Sequence, residues 1–196
     1  MTEANEPHPV VVALVGSAGG IGPMETVLAQ LPADFPAAVV VVLHLTAHHP
    51  SYLASILGRC TALAVKEAEE GDVLRPGTVY VAAPDAHLLV TGDGTLRLER
   101  SPLVHHVRPS ADSLLLSLAE SYDGRCVAVV LSGTGRDGAA GAAAVKRAGG
   151  TVLVQDEASS DHFGMPSGAI LAGEVDGVLA PEGIAAAVID AVASRA

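Results

Sequence analysis

Aromatic residues make up only 3% of the 196-residue chain, with two Phe, three Tyr and no Trp. The hydrophobic fraction is still 49%, so a core has to be assembled from Val, Leu, Ile and Ala. Cations are scarce as well. Lys and Arg total 11 against 22 Asp and Glu, for a formal net charge of −11. That balance excludes sequence-independent binding of nucleic acid, which needs clustered Lys and Arg against the phosphates. Only two cysteines occur, Cys60 and Cys126, too few for a disulfide framework. Both flank apolar runs and read as buried thiols. No apolar run approaches the ~18 residues of a membrane helix. Met1–Pro9 is polar and acidic and lacks the basic and apolar regions of a signal peptide. The expectation is one domain over residues 10–196 behind a frayed tail at 1–9, cytoplasmic and monomeric by default.

What is present is a rhythm of apolar runs and helical segments. Val10–Val15, Val39–Leu43, Val127–Leu131 and Thr151–Gln155 are short β-branched runs, as in strands buried on both faces. Val175–Leu179 reads as a fifth. Between them, Met24–Leu31, Ser51–Cys60, Ser110–Glu120, Ala139–Ala148 and Ile184–Ala193 carry helical spacing, with Ser51 as a cap and Gly149-Gly150 as a stop. Val65–Asp72 is charged, and its Glu67, Glu69, Glu70 and Asp72 read as a solvated loop. Thr78–Ala82, His87–Thr91 and Thr95–Leu98 alternate in polarity, the last two split by Gly92-Asp93-Gly94, a hairpin turn. Strand and helix alternating at this spacing predict an α/β fold: a doubly wound, mainly parallel sheet with helices on both faces and an antiparallel hairpin at one edge.

Ligands of such sheets bind beyond the carboxyl ends of the strands. After Val10–Val15 comes Gly16-Ser17-Ala18-Gly19-Gly20. After Val39–Leu43 comes His44. After Val127–Leu131 comes Ser132-Gly133-Thr134-Gly135-Arg136-Asp137-Gly138. One Ser, one His and one Asp at strand ends form the inventory of a nucleophile, its base and the group that orients the base. A serine hydroxyl needs a base to take its proton. The Asp fixes the imidazole tautomer and stabilises the imidazolium. Small neighbours let Ser17 sit in a sharp strand-to-helix turn, where the Ala18 N–H could serve an oxyanion. The order Ser, His, Asp differs from the best-known triads, and Val15 replaces the first glycine of the G-x-S-x-G elbow.

These segments resemble the catalytic domain of the chemotaxis protein-glutamate methylesterases (CheB). The resemblance rests on Val15-Gly16-Ser17-Ala18-Gly19-Gly20, on His44, on Ser132–Gly138, and on Gln155-Asp156-Glu157-Ala158-Ser159 leading to Gly164-Met165-Pro166. Glu67–Asp72 before Pro76-Gly77-Thr78-Val79-Tyr80, and Arg108-Pro109-Ser110-Ala111-Asp112, add to it. Together they extend over about residues 10–193. The resemblance implies a doubly wound α/β domain that hydrolyses glutamyl methyl esters of chemoreceptors, releases methanol, and in some members deamidates glutamine. Ser17 then matches the nucleophile, His44 the base and Asp137 the orienting carboxylate, with no metal or organic cofactor. Two departures stand out. Leu45-Thr46 follows the histidine where the family often has Met-Pro, and Thr134 stands where Met is common. The Thr134 N–H could complete the oxyanion hole. Members usually carry an N-terminal receiver domain, and these residues hold no counterpart. The expectation is a free-standing homologue, with a separate response-regulator receiver among its candidate partners.

Arg108 and Arg136 are the cations best placed in sequence to hold a substrate carboxylate. Three other readings compete. Gly16-x-x-x-Gly20-Ile21-Gly22 resembles the cofactor loop of short-chain dehydrogenases. Against it, His44 ends the second strand where a ribose-binding acid belongs, and Tyr52, Tyr80 and Tyr122 all lack a Lys four residues on. His44, His48, His49, His105 and His106 suggest a metal. His44 and His48 share a face only on a helix, however, and Pro50 breaks that segment, so solvent-facing rim histidines are the expectation. The third reading is a binding module that kept the fold without activity, or acts on a substrate other than a chemoreceptor. Intact triad residues give it no positive support.

Overall fold

Apolar residues at every position of a strand require cover on both faces, and the chain supplies it. The computed structural model describes residues 8–44 and 51–195. Seven strands form one all-parallel sheet in the order β3-β4-β2-β1-β7-β8-β9. They are β1 (Val10–Gly16), β2 (Ala37–Leu43), β3 (Ala64–Glu67), β4 (Thr78–Val81), β7 (Cys126–Val130), β8 (Thr151–Gln155) and β9 (Gly177–Leu179). Alternate residues of β1 divide between two cores. Val11, Ala13 and Val15 pack with α3 (Ala111–Ser121), α4 (Ala139–Arg147) and α5 (Gly164–Ala172). Val10, Val12 and Leu14 pack with α1 (Ile21–Ala29), α2 (Leu53–Leu57) and α6 (Pro181–Ala193).

The hairpin, β5 (His87–Val90) and β6 (Leu96–Glu99), forms its own antiparallel two-stranded sheet rather than extending the parallel one. It lies against α3, whose Ser117 Oγ accepts from Val90 N at 3.0 Å and whose Ser121 Oγ donates to Val90 O at 3.3 Å. Leu96 also exchanges backbone bonds with Gly71 and Asp72, just past edge strand β3. Thr78–Ala82, patterned like the hairpin strands, joins the parallel sheet instead as β4.

Two elements depart from the sequence reading. The first part of Val65–Asp72, read as an exposed charged loop, belongs to strand β3 (Ala64–Glu67). Its half-exposed positions reflect an edge that pairs only with β4. The acidic stretch after it is not merely solvated. Lys66 Nζ lies 2.8 Å from Asp72 Oδ1, and Glu70 Oε2 accepts from Leu98 N at 2.6 Å. Helix α5 escaped the sequence reading because Gly164, Pro166 and Gly168 suppress helical propensity. Pro166 falls in the first turn, where a missing N–H costs nothing. Cys126 is buried as expected, whereas Cys60 is only half-buried.

Two features position the site. The chain leaves β1 for β2 on one side and returns to β7 on the other, so β1 is the point where winding reverses. Its exit is tied to both neighbours: His44 N donates to Gly16 O at 3.2 Å, and Ser17 N to Ser132 O at 2.9 Å. On the opposite core, the small residues of α4 admit α3 at close range. A β-carbon on Gly141 would meet Leu115 Cβ at 2.5 Å. That approach brings the start of α3 to the loop after β7.

Candidate active site

Ser17, His44 and Asp137 leave the ends of three adjacent strands: β1, β2 and the loop after β7. His44 Nε2 is 2.7 Å from Asp137 Oδ2. The two side chains are 11% and 3% exposed, so this bond is shielded from competing water. It leaves Nδ1 as the ring nitrogen for another partner. Ser17 and His44 both line a cleft of about 540 Å³, with Ala18, Gly19, Ile21, Gly22, Pro23, Leu43 and Asp161. The turn after β1 closes with Gly20 N donating to Ser17 O at 3.0 Å. Gly19, at φ 74°, absorbs the left-handed conformation, so Ser17 carries no positive φ.

Asp137 is held from every side. Ser110 Oγ donates to Oδ1 at 2.8 Å, Asp112 N to Oδ1 at 3.0 Å, and Ala111 N to Oδ2 at 2.6 Å. Its carboxylate therefore caps the N-terminus of α3, where unpaired amides and the helix dipole favour an anion. Burial pushes its pKa up. The bonds from His44, the Asp112 amide, the Ser110 hydroxyl and the Ala111 amide outweigh burial and hold it below its ordinary value. Ser110 is itself fixed, because its N–H donates to Nδ1 of buried His87 at 3.2 Å and His87 Nε2 meets Pro102 O at 3.1 Å. The chain of contacts thus runs from His87 through Ser110 and Asp137 to His44.

The Ser17 loop is fitted to the β7 loop just as closely. A β-carbon on Gly133 would fall 2.9 Å from Ser17 Cβ and 2.3 Å from Met165 Sδ. Buried Ser132 bonds Ala18 O at 2.9 Å through its hydroxyl, and its amide donates to Gln155 Oε1 at 2.8 Å. Among the described residues, neither Ala18 N nor Thr134 N donates to a protein acceptor, and Thr134 directly follows Gly133.

The two arginines do not join this cleft. The Arg108 guanidinium, expected to hold a substrate carboxylate, already holds the protein's own Asp85 and donates to Ser101 O at 2.7 Å. Arg136 is exposed and lies with Ala139, Gly168, Leu171 and Ala172 in a shallow depression between α4 and α5. Sequence reasoning assigned no site role to Ser110, His87, Ser132, Gln155 or Asp161, although Ser110, Ser132 and Gln155 fall in segments that carry the family resemblance.

Among the histidines, His105 Nε2 binds Asp112 Oδ2 at 3.0 Å. His105, Asp112 and Asp137 place ligand-type atoms within 4.8 Å. Each carboxylate oxygen there already accepts an N–H or O–H, Asp112 Oδ1 from Gly141 N at 2.7 Å. The cluster is a closed hydrogen-bond network. His48 and His49 lie outside the described residues. Two glycines of the Gly16-x-x-x-Gly20-Ile21-Gly22 pattern pack on protein, β-carbons at Gly16 and Gly20 meeting Ser132 O at 3.2 and 3.1 Å, so neither needs a dinucleotide to explain it, whereas Gly22 borders open space.

A doubly wound α/β domain here brings a serine, a histidine and a buried carboxylate to neighbouring strand ends, the residue types that serine hydrolases use. Comparison with known proteins narrows this. The family model described as CheB methylesterase matches residues 12–188, and the chain belongs to that family. It is 42% identical over 188 residues to protein-glutamate methylesterase FrzG of Myxococcus xanthus, covering 95% of this chain and 56% of that one. It is 39% identical over 189 residues to a protein-glutamate methylesterase/protein-glutamine glutaminase of Pyrococcus horikoshii, covering 95% and 51%. The chain spans about half the length of the curated relatives it matches. The crystal structure of the Thermotoga maritima CheB methylesterase catalytic domain superposes with a TM-score of 0.89 at 37% identity, covering 93% of this chain and 98% of that one. The dehydrogenase alternative finds no support in these relatives.

Proposed function

We propose that this chain is a serine hydrolase that removes methyl esters from glutamyl side chains of chemoreceptor-type proteins and can deamidate glutamine by the same route. The observation that carries the proposal is the shielded His44–Asp137 bond at the mouth of the cleft that Ser17 lines.

In this mechanism Ser17 Oγ attacks the ester carbonyl and His44 Nδ1 takes its proton. Asp137, kept anionic by the start of α3, holds the ring by Nε2 and stabilises the imidazolium. The Ala18 and Thr134 amides receive the oxyanion, a contribution of about 10²–10³-fold per donor in comparable sites. His44 then protonates departing methanol. Water, activated by the same base, hydrolyses the acyl-enzyme to release glutamate and restore Ser17. For a glutaminyl substrate the leaving group is ammonia. Chemoreceptor esters face the cytoplasm, so the proposal includes a cytoplasmic enzyme. No helix among the described residues is long and apolar enough to cross a membrane.

Trapping tests the nucleophile. A fluorophosphonate should modify the full chain once, at Ser17, by mass spectrometry of its peptides. Modification at another serine, with Ser17 untouched, sinks the assignment.

A further inference from the structure

The hairpin brings a buried histidine to the start of α3. His87 is the first residue of β5, and its neighbours Leu88 and Val90 pack in one core with Leu114, Leu115 and Leu118 of α3. Both ring nitrogens have partners of fixed chemistry. The Ser110 backbone N–H, 3.2 Å from Nδ1, can only donate, and Pro102 O, 3.1 Å from Nε2, can only accept. Nδ1 is therefore the bare acceptor, and Nε2 carries the proton. A proton on Nδ1 would face the Ser110 N–H and leave two buried donors unmatched. The ring can hold Ser110 only as this one neutral tautomer.

What it holds is the cradle of Asp137. Ser110, Ala111 and Asp112 are consecutive, and each donates to the Asp137 carboxylate. The three donors thus lie on one stretch of backbone, and His87 grips the first amide of that stretch. Because its partner there is an amide, which keeps its proton, the contact anchors the helix start and does not relay protons.

We infer that His87 is a positioning residue: as its Nε2-protonated tautomer it fixes the start of α3, and through that the Asp137 carboxylate, in the place that aims Oδ2 at His44. This deepens the proposed hydrolase reading and rests on it. Among the described residues that line the Ser17 cleft His87 has no place, so it acts through Asp137 and not on a substrate. Its effect is one of geometry, where a shift of about 1 Å can cost about 10²-fold in rate.

Two amide side chains separate the two contacts of the ring. His87→Asn puts Oδ1 near the place of Nδ1 and can still accept from Ser110 N. His87→Gln puts its amide near the place of Nε2, keeps a donor for Pro102 O and takes the acceptor away from Ser110. Both variants disturb the same buried site, so a loss that comes only from destabilisation affects both. In methanol release from glutamyl methyl-ester peptides by the full chain, His87→Gln should lower kcat about 10–10²-fold with KM within about twofold. His87→Asn should recover kcat to within about threefold of wild type. Equal losses in the two variants, or full kcat in His87→Gln, overturn the inference.

A second readout needs no substrate. The proton between His44 Nε2 and Asp137 Oδ2 should give a far-downfield ¹H NMR signal in the wild type, shifted or lost in His87→Gln and kept in His87→Asn. A signal unmoved in His87→Gln overturns the inference. If the wild type cleaves no ester, the hydrolase reading fails, and this signal judges His87 alone. If circular dichroism shows that neither variant folds, the wild type decides. Its ¹⁵N spectra should show His87 Nδ1 bare and coupled across the hydrogen bond to Ser110 N; a proton on Nδ1, or no such coupling, overturns the inference.

Discussion

Asp137 and Ser110 are 27 residues apart, yet Ser110 Oγ lies 2.8 Å from Asp137 Oδ1, inside the core and at the first turn of α3. The carboxylate facing His44 is therefore anchored to a helix N-terminus and not merely placed on a loop. That anchoring makes the site sensitive to changes on either side of the pair.

Replacing the carboxylate by an amide tests orientation without removing volume. Asp137→Asn puts an N–H₂ where either His44 or the α3 amides need an acceptor. Loss of the orienting carboxylate costs about 10⁴-fold in kcat in comparable triads. A loss of that order in kcat, with KM little changed, is expected in steady-state kinetics.

Ser110→Ala removes one donor to Asp137 and the cap of α3, where Ser110 Oγ also accepts from Ser113 N at 3.3 Å. Loss of a helix cap of this kind costs about 1 kcal/mol, readable as a lower urea midpoint. The accompanying fall in kcat should be smaller than for Asp137→Asn, since two backbone donors remain. Ser110→Thr, which keeps the hydroxyl, should restore both quantities.

Acid stability follows from the same carboxylate. The folded chain holds the anion more tightly than the unfolded chain, because the folded pKa lies below the ordinary 3.8. The stabilisation is fully present above the unfolded value and is lost as pH falls through the lower folded value. Urea unfolding of wild type and Asp137→Asn should show a constant gap at pH 5 to 7. The gap should close only under conditions more acidic than the ordinary carboxylate range. A gap that closes near pH 6 contradicts this.

Gly133 is placed where the β7 loop presses on Ser17. Gly133→Ala sets a methyl 2.9 Å from Ser17 Cβ and 2.3 Å from Met165 Sδ. Overpacking of this sort costs about 1–3 kcal/mol, and displacement of Ser17 should lower kcat about 10²-fold. Adding Met165→Ala relieves the sulfur contact alone. Thermal stability should partly recover while kcat does not.

The strands of the sheet centre were legible because Val10–Val15 and Val127–Leu131 are apolar without interruption, a pattern that burial on both faces enforces. Edge strand β3 was not, since Ala64–Glu67 is half solvated and shares its composition with loops. Ser17, His44 and Asp137 could be picked out because each follows an apolar run, and strand ends converge in such folds. Their anchors could not. Ser110 reaches Asp137 only because Gly141 lets α3 and α4 approach, and a contact between helices leaves no local trace in sequence. Arg108 illustrates the converse. Its charge suggested a substrate contact, but its partner Asp85 lies 23 residues away and no periodicity joins them. Asp161, in an irregular segment before α5, likewise gave no sign that it faces the cleft.

The proposed role of Ser17 as the nucleophile of glutamyl ester hydrolysis is tested by methanol release from methyl-esterified chemoreceptor cytoplasmic fragments, with wild type and Ser17→Ala side by side. Release by the wild type with the variant at background is the expected result. Equal release by both proteins would contradict it.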